Sequence, residues 1–253
     1  MAKKEVKIAA GERKKYRIRG EFAICFIAVL NSFSVYLLLY SRGGMPSISS
    51  VPYIFSEAFP VGSLGLWTYL FQSSLIAVLI IMRLRRGEKR YIPIYLCSFL
   101  AGGAFSFMMD VHAIWINRLP QTLPLCLLYF VISFLGLAFG IALSNHCKMP
   151  IIPTDLFPRE LTVLLDKSYK RVKTIFDLSC LTTTIVISLG ILHAIRGIGI
   201  GTVLCAFTMG KVISAMGERI SKYATFVSFI EPEEKFAEGA STQEKLQGKT
   251  NTN

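Results

Sequence analysis

The sequence predicts an all-α transmembrane protein: a six-helix bundle built as two inverted three-helix repeats, with short re-entrant or interfacial segments before the second and fifth spans. Three observations carry that expectation. Apolar residues gather into blocks of membrane-spanning length, basic residues gather in alternate connections, and a motif of the third block returns in the sixth.

Hydrophobic residues make up 53% of the 253 and charged residues 17%, against about 25% charged in soluble domains. A water-facing surface is hard to build from that composition. A bilayer core asks for about 20 mostly apolar residues per helix, and stretches near 22–40, 64–82, 92–116, 123–143, 174–194 and 198–217 supply them. The last two hold Asp177 and Lys211 and are parted by little more than Arg196 and glycines, so a five-span reading competes there. The first block exceeds the roughly 7–15 residues of a signal-peptide core, and no small-residue cleavage pattern follows it, so it counts as a span. The chain then divides into a basic N-terminal segment (1–21), a first half (22–118), a second half (119–217) and a tail (218–253). Beyond about residue 231 the tail is rich in Glu, Lys, Gln, Thr, Ser and Asn and reads as disordered.

Charge sets the direction. All 28 Lys and Arg residues except Arg42, Arg118 and Arg196 lie before the first span, after the second, after the fourth, or from Lys211 onward. By the positive-inside rule that side is cytoplasmic, with both termini there, in a multi-pass protein of the cell membrane. The net charge of +12 invites a nucleic-acid reading. The basic runs flank apolar blocks instead of forming a stripe of their own, and the partner they indicate is the lipid bilayer.

The repeat is short but free of gaps. Leu96, Cys97, Phe99, Gly102 and Met108 correspond to Leu204, Cys205, Phe207, Gly210 and Met216, so LCSFLAG returns as LCAFTMG. Met45-Pro46 and Met149-Pro150 each open a proline-containing stretch that leads to an acid, Glu57 or Glu160. With three spans per half the second half is upside down, the plan of many secondary transporters, whose substrate sits between the repeats.

Ionisable groups in or beside a bilayer are costly and usually face a cavity or a partner. Asp110, Glu57, Asp155, Glu160 and Asp177 are therefore the candidates for binding a small solute or a coupling ion. Asp110, late in the third span, suits a solvated helix end as well as a site. Asp177 follows Lys173 by one turn, which also fits a structural ion pair. Thr154 and Asp155 suit a helix cap and a ligand contact equally. Gly197, Gly199 and Gly201 precede Thr202 in G-I-G-I-G-T; without a preceding strand a nucleotide fold is not expected, and close helix packing is the plainer use of these glycines and of Gly102, Gly103, Gly136 and Gly140. Gly201 and Thr202 stay as candidates because backbone N–H groups at a helix start attract anions. The six cysteines and three histidines are too scattered for a metal site, so no metal, cofactor or catalytic constellation is expected, and no enzyme.

In order along the chain, GLWTYL with RLRRGEKR, FLAGGAFSFMMD, MPIIPTD, YKRVKTIFD and GTVLCAFTMG resemble the YczE/YitT-like family of bacterial membrane proteins, over most of residues 20–217. The resemblance implies a multi-span protein of the kind described as a transporter, without a defined substrate, and carries over Asp110, Pro153, Asp155, Asp177, Gly201 and Thr202. It departs at Ile200, where the family pattern has an acid, and at Thr154, where it has an aromatic residue. The leading expectation is a secondary transporter or permease for a small solute or ion. The competing ones are a non-transporting membrane regulator or assembly partner and a substrate-binding subunit of a larger energised transporter; under each reading a homo-oligomer is open.

Overall fold

The computed structural model describes residues 16–147, 152–194 and 196–227. Eight α-helices follow one another: α1 (Gly20–Tyr40), α2 (Ser47–Ala58), α3 (Leu64–Arg85), α4 (Ile92–Ile116), α5 (Leu123–His146), α6 (Pro153–Leu165), α7 (Tyr169–Gly190) and α8 (Ile200–Tyr223). Two four-residue strands, β1 (Tyr16–Arg19) and β2 (Ala224–Val227), pair in parallel beyond the outer ends of α1 and α8. The protein is an all-α, multi-pass membrane protein in which α1, α3, α4, α5 and α7 are long and apolar enough to cross a bilayer. The sixth expected span corresponds to α8, a continuous helix of 24 residues with Lys211 at its middle and Glu218 and Arg219 near its end.

The helix starts follow from local chemistry. Ser63 caps α3, its hydroxyl accepting from the Leu66 N–H at 3.0 Å. Proline opens α4, α5 and α6, where its missing N–H costs nothing and its fixed φ suits the first turn. The fifth span was expected at 174–194, whereas α7 starts at Tyr169 and stops at Gly190. Its first turn is helical despite its lysines, because backbone hydrogen bonding continues into the basic, interfacial stretch that a hydropathy reading discards. The expected disordered tail beyond 231 lies outside the described residues, and strand β1 was not anticipated in the basic N-terminal segment.

The packing is inverted relative to a soluble protein. Leu100, Phe107, Leu123, Val186 and Phe207 are all more than 60% exposed, as lipid-facing residues are. The interior holds Asn31, Ser32, Ser34, Thr68, Gln72, Ser98, Ser106, Ser133, Thr184 and Ser188, each buried. Lipid offers no hydrophobic drive to bring helices together, so small and hydrogen-bonding residues make the contacts. Gly140 of α5 receives Asn31 of α1, and Gly136 receives Ser34, so these glycines serve close helix packing as expected.

Helices α2 and α6, of 12 and 13 residues, reach roughly 18–20 Å at 1.5 Å per residue, short of a hydrocarbon core of about 30 Å. Each carries a proline in its sixth position, Pro52 and Pro158. Pro153, the first residue of α6, packs at Gly102, close to the middle of α4. At the other end of α6 the carbonyl of Leu164 accepts from the Arg86 guanidinium just beyond α3. Helix α6 therefore runs from the level of the α4 midpoint to the face where α1 begins and α3 ends.

Candidate functional site

The described structure places the sequence candidates at three levels along the helix axes rather than around one point. On the face where α1 ends and α3 begins, Asp110 accepts from the Ser63 hydroxyl at 2.6 Å and from the Gly65 N–H at 2.8 Å. It thereby acts as a second acceptor at the start of α3, where the helix dipole favours a negative charge. On the same face Glu57, near the end of α2, forms an ion pair with Arg196 of the α7–α8 connection. That partner pushes the Arg196 guanidinium pKa further up.

Gly201 and Thr202 belong to this face too. The Gly201 N–H donates to the Gly43 carbonyl at 2.6 Å, and the Thr202 hydroxyl accepts from the Gly199 N–H at 3.2 Å. A Cβ at Gly199 would lie 2.6 Å from the Gly43 oxygen. The glycines thus let the α7–α8 connection lie backbone to backbone on the α1–α2 connection. The backbone N–H of Gly201, offered by the sequence to an anion, is spent on a carbonyl.

A cleft of about 310 Å³ opens nearby, lined by Tyr36, Tyr40, Arg42, Tyr53, Asn117 and Gln121 among others. Several of its polar groups already have partners. Tyr36 donates to Asn117 at 3.1 Å, Tyr40 to the Leu119 carbonyl at 2.5 Å and Arg42 to Gln121 at 2.7 Å.

The middle level contains Asp155 and Asp177. Asp177 meets Lys173 with Nζ and Oδ1 2.9 Å apart, the one-turn ion pair the spacing anticipated. Asp155 lies in the first turn of α6. The capping position itself is taken by Ile152, with no side-chain cap, so Asp155 contributes its charge to the helix start and not a cap bond. Desolvation pushes its carboxyl pKa up, opposed by the charges of Lys173 and Arg159 and assisted by that of Asp177. Among the described residues these two acids face a small basic group, not a metal-binding set.

At the face where α1 begins sits the most buried charge cluster among the described residues. The Arg83 guanidinium of α3 reaches Oε2 of Glu160 on α6 at 2.6 Å and the Tyr95 hydroxyl of α4 at 2.9 Å. Its third nitrogen pairs with Glu88, the Tyr95 hydroxyl also donates to Glu160, and the guanidinium lies 4.0 Å from the centroid of the Tyr91 ring. Arg83 and Glu160 are 2% and 0% exposed. Glu160 was a sequence candidate, whereas Arg83, Tyr95 and Glu88 were not singled out. Arg83 was absorbed into the basic count of its loop, although its place inside α3 is a signal that it faces protein.

Polar atoms without partners run from the last of these levels toward the first. Both amide atoms of Gln72, the hydroxyl of Ser106 and Oε1 of Glu160 are buried and unmatched. An unmatched buried polar group costs about 1–3 kcal/mol, so three of them along one helical seam, from α3, α4 and α6, is a feature to be explained. Gln72 and Ser106 were not recognised in the sequence. The legible signal was Ser98, Gly102, Ser106 and Asp110 at four-residue intervals, one face of an α-helix.

No curated protein and no solved structure matches the chain. Residues 18–218 match the sequence profile of a family described as a family of unknown function, DUF6198. That stretch takes in all eight helices but the last turn of α8, and the chain belongs to the DUF6198 family of membrane proteins.

Proposed function

We propose that the protein is a secondary transporter for a small solute or ion, built as two inverted three-helix halves around a shared centre. The observation that carries this reading is an exchange of ties between the halves. Helix α2 of the first half packs on α7 of the second, and α6 of the second packs on α3 of the first. Each short helix delivers its acid to an arginine of the opposite half: Glu57 to Arg196 after α7, and Glu160 to Arg83 at the end of α3. One tie lies toward each face. The order long, short, long, long repeats as α1–α4 and α5–α8, with the proline in the same place in α2 and α6.

The pairing of β1 with β2 supports α8 as a sixth crossing, because it brings the start of α1 and the end of α8 to one face. The basic loops favour the cytoplasm for that face. The halves also differ as two halves of an alternating-access protein do in one state. Gly102 is covered by Gln72 and Pro153, whereas its counterpart Gly210 has open space around it.

Uptake by proteoliposomes under proton, sodium and solute gradients tests the reading. Transport abolished by Asp155→Asn in a normally folded protein is the expected result. Wild-type vesicles that accumulate nothing from a broad metabolite panel would favour a regulator or a subunit of a larger assembly instead.

A further inference from the structure

The seam between α3 and α4 carries a buried polar stripe beside an apolar cluster in which Leu75, Ile76 and Leu79 pack against Leu156, Phe157 and Leu164 of α6, the helix that covers it. From α4 come Ser98 and Ser106, 0% and 4% exposed, with Gly102 between them; from α3 come Thr68 and Gln72, 4% and 1% exposed. Gln72 has no partner for either amide atom, nor has the Ser106 hydroxyl, nor Oε1 of Glu160 on the covering helix. The Gln72 carboxamide is aimed at the start of α6. A Cβ built on Gly102 would collide with Gln72 Oε1 and come within 3.1 Å of Pro153 Cδ and Cγ, so amide and helix start converge on that glycine. A folded interior satisfies almost all buried polar groups, and this seam holds several that are not, on three helices, at one interface.

Helix α6 is suited to leave. It is short, it begins with a proline that has no N–H to give, and its polar ties to α3, α4 and α5 lie toward one end: Glu160 to Arg83 and Tyr95, the Leu164 carbonyl to Arg86, and Arg159 to Asn145. Arg83 also has a second carboxylate, Glu88, in place. Release of Glu160 therefore leaves the guanidinium paired.

We infer that the α3–α4 seam is the wall of a solute pathway and that α6 is the plug covering it in this conformation. With α6 displaced, Gln72 offers both donors and an acceptor near the midpoint of α4, and Ser106 adds a hydroxyl one turn along. The solute that fits is a small polar molecule, neutral or carrying one positive charge. An anion is disfavoured, because Asp110 stands at one end of the seam and Glu160 at the other, and Arg83 is shared by two carboxylates. The α1–α5 contact also holds unmatched atoms, Oδ1 of Asn31 and the Ser34 hydroxyl, which lie against Gly140 and Gly136 of the facing long helix. This inference rests on the transport reading, whose failure is separable by the following experiment.

In the full chain with its six cysteines replaced by serine, Ser106→Cys and, as a lipid-facing control, Phe107→Cys are each exposed in membranes to a charged, membrane-impermeant thiol reagent. Ser106→Cys is expected to react slowly, and about tenfold faster when Glu160→Gln loosens the plug and shifts the population toward the open seam. Phe107→Cys is expected to stay unreactive in both backgrounds. Should Glu160→Gln fail to fold, Arg159→Gln weakens the tie to α5 and replaces it. Ser106→Cys that remains as inert as Phe107→Cys in every background overturns the inference, even if the vesicles transport solute. Ser106→Cys that responds as expected in vesicles that move no solute upholds the seam and plug and overturns the transport reading alone.

Discussion

Nη2 of Arg83 lies 2.6 Å from Oε2 of Glu160, with both side chains withdrawn from solvent, so α3 and α6 are joined by a buried charge pair between the two halves. A buried pair is most expensive to break from one side when the surviving charge is left uncompensated; here Glu88 stays on the Arg83 guanidinium. Glu160→Ala should therefore cost about 1.5–3 kcal/mol of stability, the worth of the lost charged hydrogen bonds. Asp177→Ala should cost about 0.5 kcal/mol or less, since its partner Lys173 is a turn away and both are about a third exposed. Denaturation of the detergent-purified variants measures both, and equal losses would sink the claim that burial separates the two pairs.

Gly44 has φ +103°, and a Cβ there would lie 2.6 Å from the Thr202 hydroxyl and 2.7 Å from the Gly199 nitrogen. Gly44→Ala should therefore destabilise by about 1–3 kcal/mol, from backbone strain together with the lost approach of the two connections. Gly210→Ala, inside α8 with nothing within 4 Å of its Cβ position, should be neutral or stabilise by up to about 1 kcal/mol through helix propensity. Thermal unfolding of the two variants side by side reads out the contrast.

The helices were legible because lipid imposes a length and a composition on each of them. Expectation and structure agree on α4 from 92 to 116 to the residue and on the start of α3 at Leu64. Helix α7 was misplaced because Tyr169 to Lys173 is polar, and hydropathy detects the bilayer, not the helix. Of the site, the acids were legible as types and their partners were not. Nothing local ties Glu160 to Arg83 or Glu57 to Arg196, since each pair closes through the three-dimensional exchange of α2 and α6. Gln72 escaped notice because an uncharged amide is inconspicuous in an apolar run; only the loss of water on all sides makes it conspicuous.

Asp155 carries a pH signature. Desolvation raises its carboxyl pKa in the folded protein, above the value near 3.9 expected in an unfolded chain. A raised carboxyl pKa favours the neutral form in the native state. The contribution to stability is fully present below about pH 4 and is lost as pH rises through the folded pKa. Asp155→Asn removes the dependence, so the variant should match wild type near pH 4 and become progressively more stable than wild type toward pH 8. Paired melting curves across that range decide it, and a constant offset between the two proteins would show that the charge at this position is fully compensated.

The crossing of α8 has a direct test, because five and six crossings place its end on opposite faces. Lys211 falls 11 residues beyond Ile200 at the start of the helix, roughly 16 Å deep at 1.5 Å per residue. A lysine near the bilayer centre costs about 2.5–3.5 kcal/mol on insertion scales, and that penalty favours an α8 that lies along the interface. Against it stands the pairing of β1 with β2, which an interfacial α8 starting on the far face does not permit. Arg42→Cys and Lys222→Cys, each in a cysteine-free chain, should be labelled by an impermeant thiol reagent from opposite sides: Arg42→Cys in intact cells and Lys222→Cys in inverted vesicles. Labelling of both in intact cells would leave α8 outside the membrane and remove the sixth crossing. Adding Lys211→Leu should leave the sidedness unchanged and make the protein more resistant to extraction and heat, because the side chain then matches the lipid that surrounds that depth.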